Sequence, residues 1–179
     1  MIPWSVMSTA ERERGFTVVE IMIVVVIIAV LAAVVVPGWF KESSKTKTKT
    51  EVNAMFAELT IKEEQYKVEH QVYLSAGPCP TAVSPGAGVS FSTTCLTGAS
   101  AWDNLRVNPP EAIVRCMYEL TAGDSTAAPT PPTGFTMPTP AGHWWYAVAT
   151  CDTDSSGGTN STWFISSVDT KVQVQNEGL

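Results

Sequence analysis

The chain reads GFTVVEIMIVVVIIAVLAAVVVP from Gly15 to Pro37, and this stretch decides how the protein is organised. From Ile21 to Val36 it holds sixteen consecutive residues without a polar side chain. Because a helix rises about 1.5 Å per residue, residues 16–40 would span about 37 Å, enough to cross a hydrocarbon core of about 30 Å. The sequence therefore predicts a membrane-spanning helix near the N-terminus, followed by a more polar part.

A secretory signal peptide is the first alternative for this segment, since Arg12 and Arg14 precede it. The apolar run is longer than the usual core of a signal peptide, and Glu11 and Glu13 cancel both arginines. No cleavage site with small residues follows before Pro37. The pattern thus fits a signal peptide poorly.

A plain single-pass anchor is the second alternative, and Glu20 speaks against it. An ionisable side chain inside a membrane segment costs about 2.5 to 3.5 kcal/mol on insertion scales, so it indicates a functional site with a partner. The partner expected for a carboxylate is a cation.

The order Gly15, Phe16 and then Glu20, five residues after the glycine, resembles the N-terminal pattern of the type IV pilin and pseudopilin family. The resemblance covers residues 15–37 closely and extends weakly along the helix that follows. It implies that a prepilin peptidase cleaves after Gly15 and N-methylates Phe16. It also implies that Glu20 pairs with the N-terminal ammonium of a neighbouring subunit, or of its own chain, during assembly.

The resemblance makes residues 1–15 a leader that is removed. This leader has no net side-chain charge, whereas the family's leaders are usually positive. A start at Met7 would leave the short leader MSTAERERG, which suits a type IVa pilin with a Phe as first mature residue. A start at Met1 gives a longer leader, and both starts stay open.

Pro37 and Gly38 interrupt the apolar run, and a proline inside a helix removes a hydrogen bond. The resemblance implies that the long helix bends or locally melts there; a simple helix end is the alternative. We predict a membrane and filament-core helix at residues 16–40 and its amphipathic continuation at residues 41–74.

The continuation carries apolar residues at three- and four-residue steps. They are Val52, Met55, Phe56, Leu59, Tyr66 and Tyr73. Six lysines and six glutamates lie between Lys41 and Gln71, so the other faces are expected to be solvated and neutral overall.

Residues 75–179 are expected to form a globular β head. Four runs rich in β-branched or aromatic residues and bounded by turn residues predict an antiparallel sheet of about four strands. The runs are residues 112–121, 143–150, 162–167 and 171–175. The helix would pack on this sheet in an α+β fold, which is also the fold that the resemblance implies. Two long connections remain: residues 77–100, and the Pro/Thr-rich residues 123–142, expected to be an exposed extended loop.

Two pairs of aromatic residues lie in the predicted strands. Trp144 with Trp145, and Trp163 with Phe164, are expected to contribute to the sheet core and to one exposed face of the sheet.

Four cysteines all lie in the head, and an even number on the exported side indicates two disulfides with three possible connectivities. We favour Cys79 with Cys95, which closes the first long loop, and Cys116 with Cys151, which ties neighbouring strands. Their spacing matches no zinc signature.

Asp152 and Asp154 are candidate calcium ligands, because residues 152–157 read DTDSSG like the start of an EF-hand loop. The twelfth position is Trp163, so the bidentate glutamate is missing. Some members of the family hold calcium in this region, whereas a polar hairpin turn is the alternative. No other cofactor is expected.

The net charge is −6 with 11 Lys and Arg against 17 Asp and Glu. Residues 72–179 hold three basic and eight acidic side chains, so the head should be acidic and the bare filament wall should not bind nucleic acid. Neither His70 nor His143 has an obvious catalytic partner, and no nucleophile or phosphate-loop motif is present, so we expect no enzyme activity.

The leading hypothesis is the structural subunit of a type IV pilus-like extracellular filament, a homo-oligomer assembled from the bacterial inner membrane. By resemblance its partners are a prepilin peptidase, an inner-membrane platform protein, an assembly ATPase system and an outer-membrane secretin. One alternative is a pseudopilin of a type II secretion system. An alternative of another class is a single-pass membrane-anchored binding domain, whose N-terminus would stay uncleaved.

Overall fold

A computed structural model describes residues 15–84, 86–153 and 157–177, and for residues 36–41 it describes the backbone only. Apart from Gly15, the predicted leader lies outside the described residues. The chain divides into two compact units, Met1–Trp39 and Phe40–Leu179.

The first unit consists, in its described part, of the start of helix α1 (Val18–His70) and the three residues before it. The segment Val18–Val35 has a mean hydropathy of 3.3, and within the chain none of it is buried. Its 18 residues span about 27 Å as a helix, close to the thickness of a hydrocarbon core. Among the described residues this is the one helix long and apolar enough to cross a membrane.

The backbone of α1 is helical through Pro37 and Gly38, so the helix does not end there. A bend at these residues stays a prediction. The helix ends at His70, four residues before the predicted end, because Gln71 adopts a positive φ of 64° while its N–H still donates to Lys67 O at 2.8 Å. A left-handed residue of this kind commonly terminates a helix.

Tyr73 therefore lies beyond the helix and not on its predicted face. Its hydroxyl donates to Glu64 Oε1 at 2.7 Å and accepts from Lys67 Nζ at 2.9 Å. These two contacts fold the loop back onto the last turns of α1, and the Tyr73 ring is buried in the core with its centroid 6.5 Å from that of Trp145.

Besides the rest of α1, the described residues of the second unit form seven strands and two short helices. In chain order they are β1 (Ala76–Cys79), β2 (Val89–Ser90), α2 (Phe91–Thr94), α3 (Ala101–Asn104), β3 (Ile113–Val114), β4 (Met117–Gly123), β5 (Trp144–Cys151), β6 (Ser161–Ser166) and β7 (Gln173–Gln175). The main sheet is antiparallel with the strand order β1-β4-β5-β6-β7, and β2 pairs with β3 in a small second sheet.

The core of the head lies between α1 and one face of the main sheet. The helix contributes Val52, Met55, Phe56 and Leu59, each at most 1% exposed. The sheet contributes Tyr118, Leu120, Trp145, Ala147, Ala149, Trp163 and Ile165. The α+β prediction and the three- and four-residue spacing of the helical core positions are confirmed.

The main sheet has five strands where about four were predicted. The additional strand, β1, reads AGPC. Gly and Pro are rare in strands, so the composition of this segment did not predict one. It pairs with β4 through Ala76 opposite Leu120 and Cys79 opposite Tyr118.

The predicted strand at residues 112–121 is two strands, β3 and β4, in different sheets. The chain leaves the ladder at Arg115 and Cys116 because their N–H groups donate to the Glu51 side chain, at 2.8 and 3.1 Å, and not to a neighbouring strand. A side chain of α1 thus divides the strand.

Residues 124–143, which join β4 to β5, form what we call the strap. It was expected to be an exposed loop, and this is wrong for its inner side, since Phe135 is buried and stacks on Phe164 of β6 at 5.2 Å between ring centroids. Trp144 and Tyr146 of β5 are buried in the same cluster. The outer face of the sheet is therefore covered, and the aromatic side chains predicted for an exposed face are buried.

Two disulfides join Cys79 to Cys95 and Cys116 to Cys151. They are the pairings that the sequence favours. The first closes a loop with a sequence separation of 16 residues, and the second links β5 to the residue just before β4. In the chain-entropy model, a disulfide that closes a loop as short as the first one stabilises the folded state by about 3 kcal/mol.

Candidate functional site

The N-terminal end of α1 brings together the residues that the sequence singles out for cleavage, methylation and assembly. Gly15, Phe16 and Thr17 have no regular secondary structure, and α1 begins at Val18. Gly15 is exposed and Phe16 is 76% exposed. The bond between them is therefore open to a peptidase.

Gly15 is not required by its local backbone. A Cβ built at this position meets no atom within 4 Å, and its φ lies outside the left-handed region that favours glycine. In contrast, a Cβ at Gly88 would lie 2.6 Å from the Ile113 side chain, at a φ of 67°. The described fold therefore leaves room for a side chain at Gly15.

Glu20 lies in the first turn of α1 and is exposed, three residues after Thr17. The Glu20 N–H donates to Thr17 Oγ1 at 3.2 Å, so Thr17 caps the helix. A threonine followed three residues later by a glutamate is the sequence signature of a capping box, and the sequence reading missed it. Glu20 also places negative charge where the helix dipole is positive.

The apolar side chains around Glu20 are not buried by the part of the chain that the structure describes. Every described side chain of residues 15–35 is exposed, including Ile21, Met22 and Val24. A patch of this size requires a membrane or other protein surfaces. Glu20 is the one ionisable side chain among these described residues.

Two carboxylates of α1 that the sequence assigned to a solvated face are buried. Glu51 is 4% exposed and Glu63 is fully buried. Glu63 could have been recognised, because it lies four residues after Leu59 and three before Tyr66, within the apolar row. Glu51 carries a similar signal, since it lies four residues before Met55.

Glu51 is fully engaged in hydrogen bonds. Its Oε1 accepts from the N–H groups of Arg115 and Cys116 and, at 3.0 Å, from the Tyr118 hydroxyl. The Arg115 guanidinium lies 3.5 Å from its Oε2. Burial first, and then the negative charge of Glu51, raise the pKa of Tyr118 well above its usual value. Glu51 thereby fixes α1 to the strand that follows Cys116.

Glu63 is only half satisfied. Its Oε2 accepts from the Leu74 N–H at 3.1 Å, whereas its Oε1 is buried without a hydrogen-bond partner among the described residues. Burial raises the pKa of Glu63 from 4.5 to about 7; the Leu74 hydrogen bond opposes this shift, and the nearby charge of Glu64 adds to it. Charging Glu63 therefore works against the fold.

The residues considered for calcium are not assembled into a described site. Asp152 accepts from the Gly157 N–H through Oδ2 at 3.3 Å, and Asp154 lies outside the described residues. Within the described ranges no group of three or more His, Cys, Asp or Glu could hold a metal ion. His70 is the last residue of α1 and His143 is the last residue of the strap, and the His70 ring packs on Tyr66 at 4.2 Å between centroids.

Comparison with known proteins matches residues 11–36 to the family described as "Prokaryotic N-terminal methylation motif". Type II secretion system core protein G of Escherichia coli is 37% identical over 67 residues, which are 37% of this chain and 46% of that protein. The type IV major pilin protein PilA of Myxococcus xanthus is 28% identical over 141 residues, 74% of this chain and 63% of that protein. The chain thus spans less than two thirds of either relative. No solved structure gives a significant match.

A third relative is matched over more of its length. The type IV wide pilus major component PilA4 of Thermus thermophilus is 36% identical over 94 residues, 51% of this chain and 69% of that protein. These relatives are named as pilus or secretion-system components. With the methylation motif at its N-terminus and this extent of similarity, the chain belongs to the type IV pilin and pseudopilin family.

Proposed function

We propose that the chain is the structural subunit of a type IV pilus-like extracellular filament. The observation that carries the proposal is the exposed apolar helix Val18–Val35, which has one carboxylate near its start and is followed by a compact, disulfide-linked head. Such a helix is covered by lipid in the precursor and by the same helix of other copies in a filament. The function is mechanical and needs no active site.

We assign the role in assembly to Glu20. Cleavage after Gly15 frees an ammonium at Phe16, four residues before Glu20. Either charge alone is costly in an apolar bundle, whereas the pair offsets much of that cost. A subunit that moves from the membrane into the filament is then retained where its carboxylate meets an ammonium, so the pair sets the register of packing.

The head would form the outer surface of the filament. Its acidic excess keeps that surface negative, which disfavours nucleic-acid binding by the bare wall. We expect the precursor in the bacterial inner membrane, with a prepilin peptidase that cleaves and methylates it. An inner-membrane platform protein, an assembly ATPase system and an outer-membrane secretin would complete the machinery.

A pseudopilin of a type II secretion system is the second candidate, because core protein G of Escherichia coli is among the relatives. The extent of similarity favours the pilus. The match to that protein covers 37% of the chain, whereas the match to the Myxococcus xanthus pilin covers 74% and so includes part of the head. A membrane-anchored binding domain of another class would keep its N-terminus uncleaved.

Deletion of the gene distinguishes the two filament functions. We expect the deletion strain to lose surface filaments, measured by electron microscopy and by the protein content of the sheared fraction, and to secrete folded exoproteins normally. Restoring the gene should restore the filaments. Normal filaments together with retained exoproteins in the deletion strain would instead identify a pseudopilin.

A further inference from the structure

The strap carries a row of threonines that the proposed function does not use. Residues 128–140 read APTPPTGFTMPTP, and Thr130, Thr133, Thr136 and Thr139 follow one another at three-residue steps. Three of the four are next to a proline, and no charged residue lies between positions 125 and 142. We call these four residues the threonine row.

All four side chains of the threonine row are exposed, and of the six residues between them Gly134 and Pro138 are exposed as well. Phe135 is buried against Phe164, and Pro132 and Met137 are partly buried. The three-residue step therefore places one hydroxyl after another on the outer side of the strap.

Side chains of the main sheet hold the backbone of the threonine row by hydrogen bonds. The Tyr146 hydroxyl donates to Thr130 O at 3.0 Å, and the Gln175 amide donates to Thr133 O at 3.3 Å. Gln173 bonds to Thr136 twice, accepting from its N–H at 3.1 Å and donating to its carbonyl at 2.7 Å. Main-chain groups are thus turned inward, and the hydroxyls are displayed outward.

The hydroxyls of the row are chemically available. None of them makes a hydrogen bond to another described residue, whereas the hydroxyl of Thr126, at the start of the same strap, donates to Asp124 Oδ1 at 2.6 Å. An enzyme can reach an extended, exposed segment without unfolding the sheet. Pro- and Thr-rich segments with these properties are typical acceptors of O-linked sugars.

We infer that the threonine row is a site of O-linked glycosylation. A transferase of the cell would join a threonine Oγ to the anomeric carbon of a nucleotide- or lipid-linked glycosyl phosphate. The bond between that carbon and the phosphate oxygen breaks, its electron pair stays with the phosphate, and the hydroxyl proton passes to a base of the transferase. The product is a neutral sugar layer over an uncharged strip of an otherwise acidic head.

Peptide mapping by mass spectrometry tests this inference on the full chain purified from the cells that naturally produce it. We expect hexose or N-acetylhexosamine increments on the peptide that contains residues 128–140, located to the threonine row by fragmentation that keeps the sugar attached. Thr126 should be unmodified because its hydroxyl is engaged. An unmodified strap, a phosphate increment, or sugars located only on other residues would each overturn the inference.

A variant pair provides the control. Replacing the four threonines by valine keeps β-branched side chains, leaves the backbone hydrogen bonds in place, and should remove essentially all of the added mass. Valine at Thr159 and Thr170, two exposed threonines outside the strap, should leave the added mass unchanged. The same spectra report the N-terminus, so this inference and the proposed function can fail independently.

Discussion

Replacing Glu20 by alanine is expected to reduce surface filaments at least about tenfold, while the chain still inserts into the membrane. The variant leaves the Phe16 ammonium without its carboxylate in an apolar bundle, and breaking a buried pair in this way typically costs about 3 to 5 kcal/mol. Insertion should persist because the apolar segment is intact. Immunoblots of the sheared and membrane fractions measure both quantities.

Two further variants test whether the loss of filaments is caused by the loss of the Glu20 charge. Glutamine at Glu20 keeps the length of the side chain and the N–H that Thr17 caps, so it should assemble as poorly as alanine if the charge matters. Alanine at the exposed Glu42 removes the same charge elsewhere on α1 and should leave filaments unchanged. Normal filaments with glutamine at Glu20 would show that the residue serves the helix start and not the ion pair.

Replacing Glu51 by glutamine is expected to lower the free energy of unfolding by roughly 2 kcal/mol. Its Oε1 accepts three hydrogen bonds in a buried position, and hydrogen bonds to a charged group contribute about 1.5 to 3 kcal/mol each. The neutral amide weakens these bonds and turns a donor toward Arg115. Urea denaturation of the full chain in detergent at pH 8 measures the change, and an unaltered midpoint would contradict the role given to Glu51.

Replacing Glu63 by glutamine is the matched control. It also removes a buried carboxylate from α1, but here we expect no loss of stability at pH 8. The pKa of Glu63 is raised in the folded chain to about 7, so its contribution to stability is lost as the pH rises from about 4.5 to about 7. That loss is about 3 kcal/mol by linkage and should be absent in the variant. At pH 8 the variant should be at least as stable as the unmodified chain.

Periodicity and composition predicted much of the fold, because the features they report are local. The apolar run fixes the first half of α1, and Val52, Met55, Phe56 and Leu59 repeat with the helical period that places them in the core. The strands β5 and β6 combine β-branched and aromatic residues, and both were found within one residue of their bounds.

The features that were missed depend on contacts between distant parts of the chain. Glu51 divides the predicted strand at residues 112–121, although 64 positions separate it from Arg115. The strap was expected to be exposed because Pro and Thr usually are, but Phe135 anchors it on the sheet. Neither contact leaves a periodic signal in the sequence.

The candidate site was predicted by motif and not by geometry. Gly15, Phe16 and Glu20 lie within the matched methylation motif at residues 11–36, so the pattern is visible without the fold. The capping of α1 by Thr17 became clear only from the hydrogen bond to the Glu20 N–H. The pairing of Glu20 with an N-terminal ammonium, of a neighbouring subunit or of its own chain, stays a prediction.

The mass of the N-terminal peptide of the mature protein, purified from filaments or membranes, tests the central claim most directly. We predict that the protein begins at Phe16, that its amine carries one methyl group, and that residues 1–15 are absent. A chain that still begins at Met1 or Met7, with an intact bond between Gly15 and Phe16, would contradict the filament function and favour a membrane-anchored domain.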